Sequence, residues 1–201
     1  MRPMYSPPPL DDALAAIARD RDAGRLAAWS WSTVIDENVG DAVVDRDVFA
    51  RIHEAGAVEA AFPIGNAGLV HVYGYLFSTV VTPYGYKSDR WNDGVLARSL
   101  GLPAGWFQLN DGAETPLERV LDAAMPILED PPASAREFSW SVGGVEQRAV
   151  IARDVLVSGL NDGSRPKLLT IFPIADADSF ARELVADPPR LRWNAAEAPL
   201  P

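Results

Sequence analysis

The sequence predicts an α+β domain: a mostly antiparallel sheet of hairpins with helices packed on one face. Three observations carry that expectation. Capped amphipathic segments are scattered among apolar runs, several of those runs flank short Gly/Asn-rich turns, and no regular strand–helix–strand alternation is present. Neither an internal repeat nor a low-complexity tract interrupts the pattern. The 201 residues suit a single domain over 10–187, between an irregular Pro-rich arm at 1–9 and a loose Pro-rich tail at 188–201.

The arm holds four prolines, which fix φ and lack the backbone donor. Over residues 10–28, Leu10, Leu14, Ile17 and Leu26 suit an amphipathic helix, with Asp11 and Asp12 in its first turn. Residues 29–35 alternate Trp and Ser and end in Thr-Val-Ile, which reads as a strand. A second helix is expected over 45–55, stopped by Gly56. Residues 57–64 and 69–82 flank Gly65-Asn66-Ala67-Gly68 and read as a hairpin. Residues 89–100 look helical, closed by Gly101 and Pro103. Thr115, Pro116 and Glu118 form a helix-start signal, and that helix should end or kink at Pro126. Residues 136–174 read as all β, in two hairpins around Gly143-Gly144 and the loop 161–166, and a last helix follows at 176–186.

Composition narrows the function. With 48% hydrophobic and 23% charged residues this is an ordinary globular protein. A net charge of −10 repels phosphates, so neither nucleic acid nor an anionic membrane is an expected partner. No apolar run reaches the ~18 residues of a membrane helix. No signal-peptide core is visible, so a cytoplasmic location is expected. Cysteine is absent, which excludes disulfides and thiolate chemistry. Basic residues are almost all arginine, only Lys87 and Lys167 being lysine; with abundant Ala, Asp, Gly and Pro this reads as a high-GC bacterial genome. His53-Glu54 has no second histidine at ligand spacing, and Asp41, Asp45 and Asp47 do not match a calcium loop. Phosphate-loop, dinucleotide and nucleophile-elbow motifs are missing too, so no metal and no cofactor are expected.

Chemistry concentrates in residues 69–93. Read as a strand, this stretch puts His71, Tyr73, Tyr75 and Phe77 on one face, and Val70, Val72, Gly74 and Leu76 on the packed one. An aromatic row beside a histidine supplies stacking area and a few donors for a ligand. The following loop adds Tyr84, Tyr86, Lys87, Asp89, Arg90 and Trp91. In this reading His71 is the general acid or base, while Lys87 and Arg90 hold an anion and stabilise developing charge. Tyr73, Tyr75, Tyr84, Tyr86, Asp89 and Trp91 line the ligand. Each residue also has a plainer reading: half-buried strand tyrosines, a structural histidine, and a solvated turn pairing Lys87 and Arg90 with Asp89 and Asp93.

Three short pieces carry a family resemblance. Residues 78–83 (Ser-Thr-Val-Val-Thr-Pro), a helix at 95–100 followed by Thr115-Pro116-Leu117, and residues 165–170 (Arg-Pro-Lys-Leu-Leu-Thr) lie in that order. The chain after residue 57 resembles the chorismate pyruvate-lyase fold, used also by ligand-sensing domains of bacterial transcription regulators. The resemblance implies an antiparallel α+β pocket. The closing strand continues Ile171-Phe172-Pro173, without the glutamate that those lyases place there, so no catalytic residue is carried over.

The resulting expectation is a cofactor-independent enzyme of the lyase or isomerase type. It would carry out elimination, isomerisation or cyclisation of a small anionic, ring-containing metabolite. The alternatives are a non-catalytic ligand-binding or regulatory protein using the same pocket, and an interaction scaffold presenting its Tyr/Trp surface. A homodimer is left open.

Overall fold

The computed structural model describes residues 7–142, 144–161 and 165–186. The expectations for residues 1–6 and 187–201, for Gly143 and for the loop tip 162–164 lie outside the described residues. The α+β class and the antiparallel sheet are as the sequence predicts.

Helix α1 (Leu10–Asp22) opens with Asp11 and Asp12 in its first turn, where the helix dipole favours negative charge. It stops earlier than expected because Gly24 takes a left-handed φ of 72°; a 3-10 turn, Arg25–Ala28, follows. The expected strand at 29–35 is split into β1 (Trp31–Thr33) and β2 (Ile35–Asp36), and β2 pairs with β3 (Asp41–Ala42). Helix α2 (Arg46–Gly56) begins on Asp45, whose carboxylate accepts the Asp47 N–H at 2.8 Å. Its left-handed end residue is Ala57, at φ 51°, rather than Gly56. Gly56 serves packing instead: a Cβ there would sit 2.9 Å from Leu69 Cδ1.

The largest departure comes next. Only Ile64–Asn66 of the expected hairpin is a strand (β4), and it pairs with β1. Residues 69–77 are helical, a π turn at Leu69–Tyr73 running into a 3-10 turn at Gly74–Phe77. The Gly/Asn linker is not a hairpin turn but the start of this helix: Asn66 Oδ1 accepts the N–H groups of Gly68 and Leu69 at 3.0 and 3.2 Å. Leu69 through Leu76 are buried without a break, so the run has no solvent face to show a period. The alternation assigned to it is therefore corrected. His71 and Tyr75, one helical turn apart, share a face, and Tyr73 lies on another.

Strands β5 (Val81–Thr82) and β6 (Gly85–Tyr86) form a small hairpin. The helix expected at 89–100 is two short ones, α3 (Asp89–Asn92) and α4 (Val95–Ser99). They are separated by Gly94 at φ 67°, where a Cβ would meet Ala104 at 2.7 Å. Helix α5 (Pro116–Glu129) has the capping box that Thr115 and Glu118 announce, and it runs three residues past Pro126.

Strands β7 (Arg136–Val142), β8 (Val145–Ala152), β9 (Val155–Asn161) and β10 (Lys167–Pro173) form the main sheet in the order β10-β9-β8-β7. Arg148 and Gly159 face Leu128 of α5, whose side chain would lie 2.5 Å from a Cβ on Gly159. The opposite face carries Ser158, Thr170 and Phe172, and Phe172 meets Phe180 of α6 (Ala177–Ala186) edge to face. The β10 edge is covered where Ser30 N–H donates to the Leu168 carbonyl at 2.9 Å. Among the described residues, no helix is long and apolar enough to cross a membrane.

Candidate functional site

Four elements meet where the 69–77 helix crosses the end of β10. A bulge between Leu168 and Thr170 makes Leu169 the extra residue of that strand. Its carbonyl accepts from His71 Nδ1 at 2.7 Å. A carbonyl only accepts, so Nδ1 carries the proton and Nε2 takes the Ser32 hydroxyl at 3.1 Å. His71 is buried and both ring nitrogens are committed. Trp91, also buried, donates its indole N–H to the His71 carbonyl at 2.9 Å. The pair fixes α3 against the 69–77 helix.

The Tyr75 ring is the floor of the site. It lies 4.9 Å from the His71 ring, centroid to centroid. Lys87 Nζ and Arg90 Cζ stand 5.5 and 5.4 Å from its centroid. Lys87 forms an ion pair with Asp36, a carboxylate only 2% exposed. That carboxylate is held from the other side by the N–H groups of Asn38 and Val39, at 2.9 and 3.3 Å. Arg90 is half-buried and lies against three rings, those of Tyr75, Trp91 and Phe172. Its one hydrogen bond among the described residues is a long one, 3.4 Å to Thr170 Oγ1, and no carboxylate of those residues lies within 4 Å of it.

The charges are shifted accordingly. Burial lowers the Lys87 pKa, and the nearby Arg90 charge lowers it further, against the pull of Asp36 and Glu37. Burial pushes the Asp36 carboxyl up, but the Lys87 bond and charge and the Asn38 contacts hold it below its ordinary value. Burial also makes the Arg90 charge costly, with Tyr75 and Asp36 opposing. Two cations thus sit over one ring in a chain of net charge −10.

The other residues singled out in the sequence are placed as follows. Tyr73 points away from this cluster and donates to Asp20 at 2.5 Å, in a buried network beneath α5. Tyr84 is 83% exposed at the tip of the β5–β6 hairpin, and Tyr86 is exposed on its second strand. Asp89 holds that hairpin by accepting the Tyr86 N–H at 3.1 Å. The structure therefore gathers His71, Tyr75, Lys87, Arg90 and Trp91 and leaves Tyr73, Tyr84 and Tyr86 outside the group. Asp36, Ser32, Thr170 and Phe172 join it without any sequence signal that named them. The Asp-Glu-Asn turn after β2 marks Asp36 only as a turn residue, and the alternation of β10 only puts Thr170 and Phe172 on one face. No group of three or more His, Asp or Glu among the described residues is arranged to hold a metal ion.

Both histidines give the fold a defined pH response. His53 is buried, donates from Nδ1 to the Phe49 carbonyl at 2.8 Å and accepts the Asn66 N–H on Nε2 at 3.1 Å. Burial lowers its pKa, and lowers that of His71 well below 6.5, where Arg90 adds to the effect. Below pH 6.5 the unfolded chain takes up protons that the folded one refuses, so stability falls with falling pH. The slope is at most about 1.4 kcal/mol per pH unit for each imidazole. Asp20, whose pKa burial raises, opposes the trend only as the pH nears its own titration. Urea melts between pH 7.5 and pH 5, at roughly half-unit steps, check this by the proton-uptake relation; a flat profile contradicts two neutral buried imidazoles.

Compared with family models, with curated proteins and with solved structures, the chain finds no match.

Proposed function

We propose that this chain binds a small organic anion, a carboxylate attached to a ring, with the carboxylate on Arg90 and the ring against the half-buried Phe172. One observation carries the reading: a half-buried guanidinium, walled by three aromatic rings, has among the described residues a single long hydrogen bond, to Thr170, for its five N–H donors. A carboxylate offers the planar bidentate partner that such a fork takes. His71 acts here as a positioning residue, tying the helix that carries Tyr75 to the bulge beside Thr170. Lys87 favours an enzyme over a passive binder, because a half-buried amine with a lowered pKa is suited to proton transfer or attack. Elimination, isomerisation and cyclisation of the bound anion are the reaction types in keeping with that group.

The test is calorimetric titration with benzoate, phenylacetate and phenylpyruvate. Arg90→Gln should weaken binding by roughly 10–100-fold, the worth of a charge-assisted bidentate contact. Lys167→Met, at the start of β10, should leave it unchanged. Saturable binding of none of the three, or equal binding by Arg90→Gln, overturns the reading.

A further inference from the structure

From the pairing of Lys87 with a buried carboxylate beside Arg90, we infer that Lys87 forms a covalent imine with a 2-oxo carboxylate held by Arg90. The inference rests on the anion-binding reading of Arg90 and adds the carbonyl to the substrate class.

The geometry supplies each part that the step needs. The Lys87 side chain is 17% exposed and its amine is fixed by Asp36, itself 2% exposed. Both cations stand over the same ring, Lys87 Nζ at 5.5 Å and Arg90 Cζ at 5.4 Å from the Tyr75 centroid. A carboxylate gripped by Arg90 would present its neighbouring carbonyl within this cluster rather than to bulk water. Arginine could not replace the amine in this role, since a guanidinium neither loses its proton nor condenses with a carbonyl. The chain has 16 arginines and two lysines, and one of the two stands here.

The step balances within the site. Asp36 takes a proton from the ammonium, and the freed amine nitrogen adds to the carbonyl carbon, forming the C–N bond. The carbonyl oxygen takes one proton from the adding nitrogen and the other back from Asp36, and leaves as water when its C–O bond breaks. Ammonium plus ketone thus becomes iminium plus water, with no net change of charge and no oxidant or reductant. The Asp36 carboxylate then pairs with the iminium as it paired with the ammonium. Such an iminium draws electrons from the carbon next to it, which is what an elimination or isomerisation requires. Lowering of the Lys87 pKa by burial and by Arg90 raises the share of free amine.

The test treats the full-length protein with phenylpyruvate and sodium borohydride, which reduces an imine to a stable amine, followed by peptide mass mapping. With two lysines in the chain, Lys167 is the internal control for unselective reaction. Labelling at Lys87 is expected at least about 10-fold above Lys167, the advantage of an amine beside a bound carbonyl. Excess benzoate should suppress it, Lys87→Arg should abolish it, and Lys167→Met should leave it unchanged. Lys87 labelled no more than Lys167, with benzoate still bound, overturns the imine and leaves the anion site standing. Lys87 labelled selectively but indifferent to benzoate and to Arg90→Gln overturns the proposed carboxylate anchor instead.

Discussion

Asp20→Ala should lower the unfolding free energy by about 3–5 kcal/mol, the cost of removing one member of a buried charged group. Asp20 is fully buried and has three donors: Tyr73 Oη and Thr115 Oγ1, each at 2.5 Å, and Arg25 at 3.3 Å. Arg25 continues to Glu118 at 2.5 Å, and Thr115 Oγ1 also accepts the Glu118 N–H at the start of α5. One carboxylate therefore ties α1, the 69–77 helix and α5 together. Alanine leaves two buried hydroxyls without their acceptor and removes one of the two carboxylates that Arg25 pairs with. Tyr73→Phe removes only one donor and should cost about 1–2 kcal/mol. Chemical denaturation of both variants checks the ordering. A loss of less than about 1 kcal/mol for Asp20→Ala, no more than an ordinary hydrogen bond, would show that the donors find other partners.

Gly65→Ala should be nearly as damaging, about 2–5 kcal/mol from overpacking together with a lost buried hydrogen bond. A Cβ at residue 65 would lie 2.1 Å from His53 Nε2 and 2.9 Å from Phe49 Cζ. The imidazole cannot swing aside cheaply, because its two nitrogens are bonded to Phe49 and Asn66, and its ring packs on Phe49 at 4.1 Å. Moving it also releases the N–H of Asn66, the residue whose side chain starts the 69–77 helix. Combining Gly65→Ala with His53→Ala should cost less than the two single losses added together, since the clash disappears with the ring. Additive losses in thermal or urea melts would place the strain elsewhere.

Local chemistry was readable wherever a few adjacent residues decide the outcome. Thr115, Pro116 and Glu118 define the start of α5 through contacts that close within one turn. The paired runs of residues 136–174 define four antiparallel strands because each hairpin joins neighbours in the chain. His71, Tyr75, Lys87 and Arg90, which the fold brings together, also lie within 20 residues of one another in the sequence. Composition and charge similarly indicated an ordinary acidic globular chain.

Tertiary structure alone decided the 69–77 segment and, with it, the membership of the site. A run buried on every side has neither a two-residue nor a 3.6-residue period to display, so its β-rich composition pointed to a strand that the packing made a helix. That change turned Tyr73 toward Asp20 and aligned Tyr75 with His71. The ion pair of Lys87 with Asp36 and the contact of Arg90 with Thr170 join residues 51 and 80 positions apart, a difference that no local pattern records. A residue's type announces what it can bind. Which partner it meets depends on how distant segments bury their apolar surfaces together, and only the folded chain settles that.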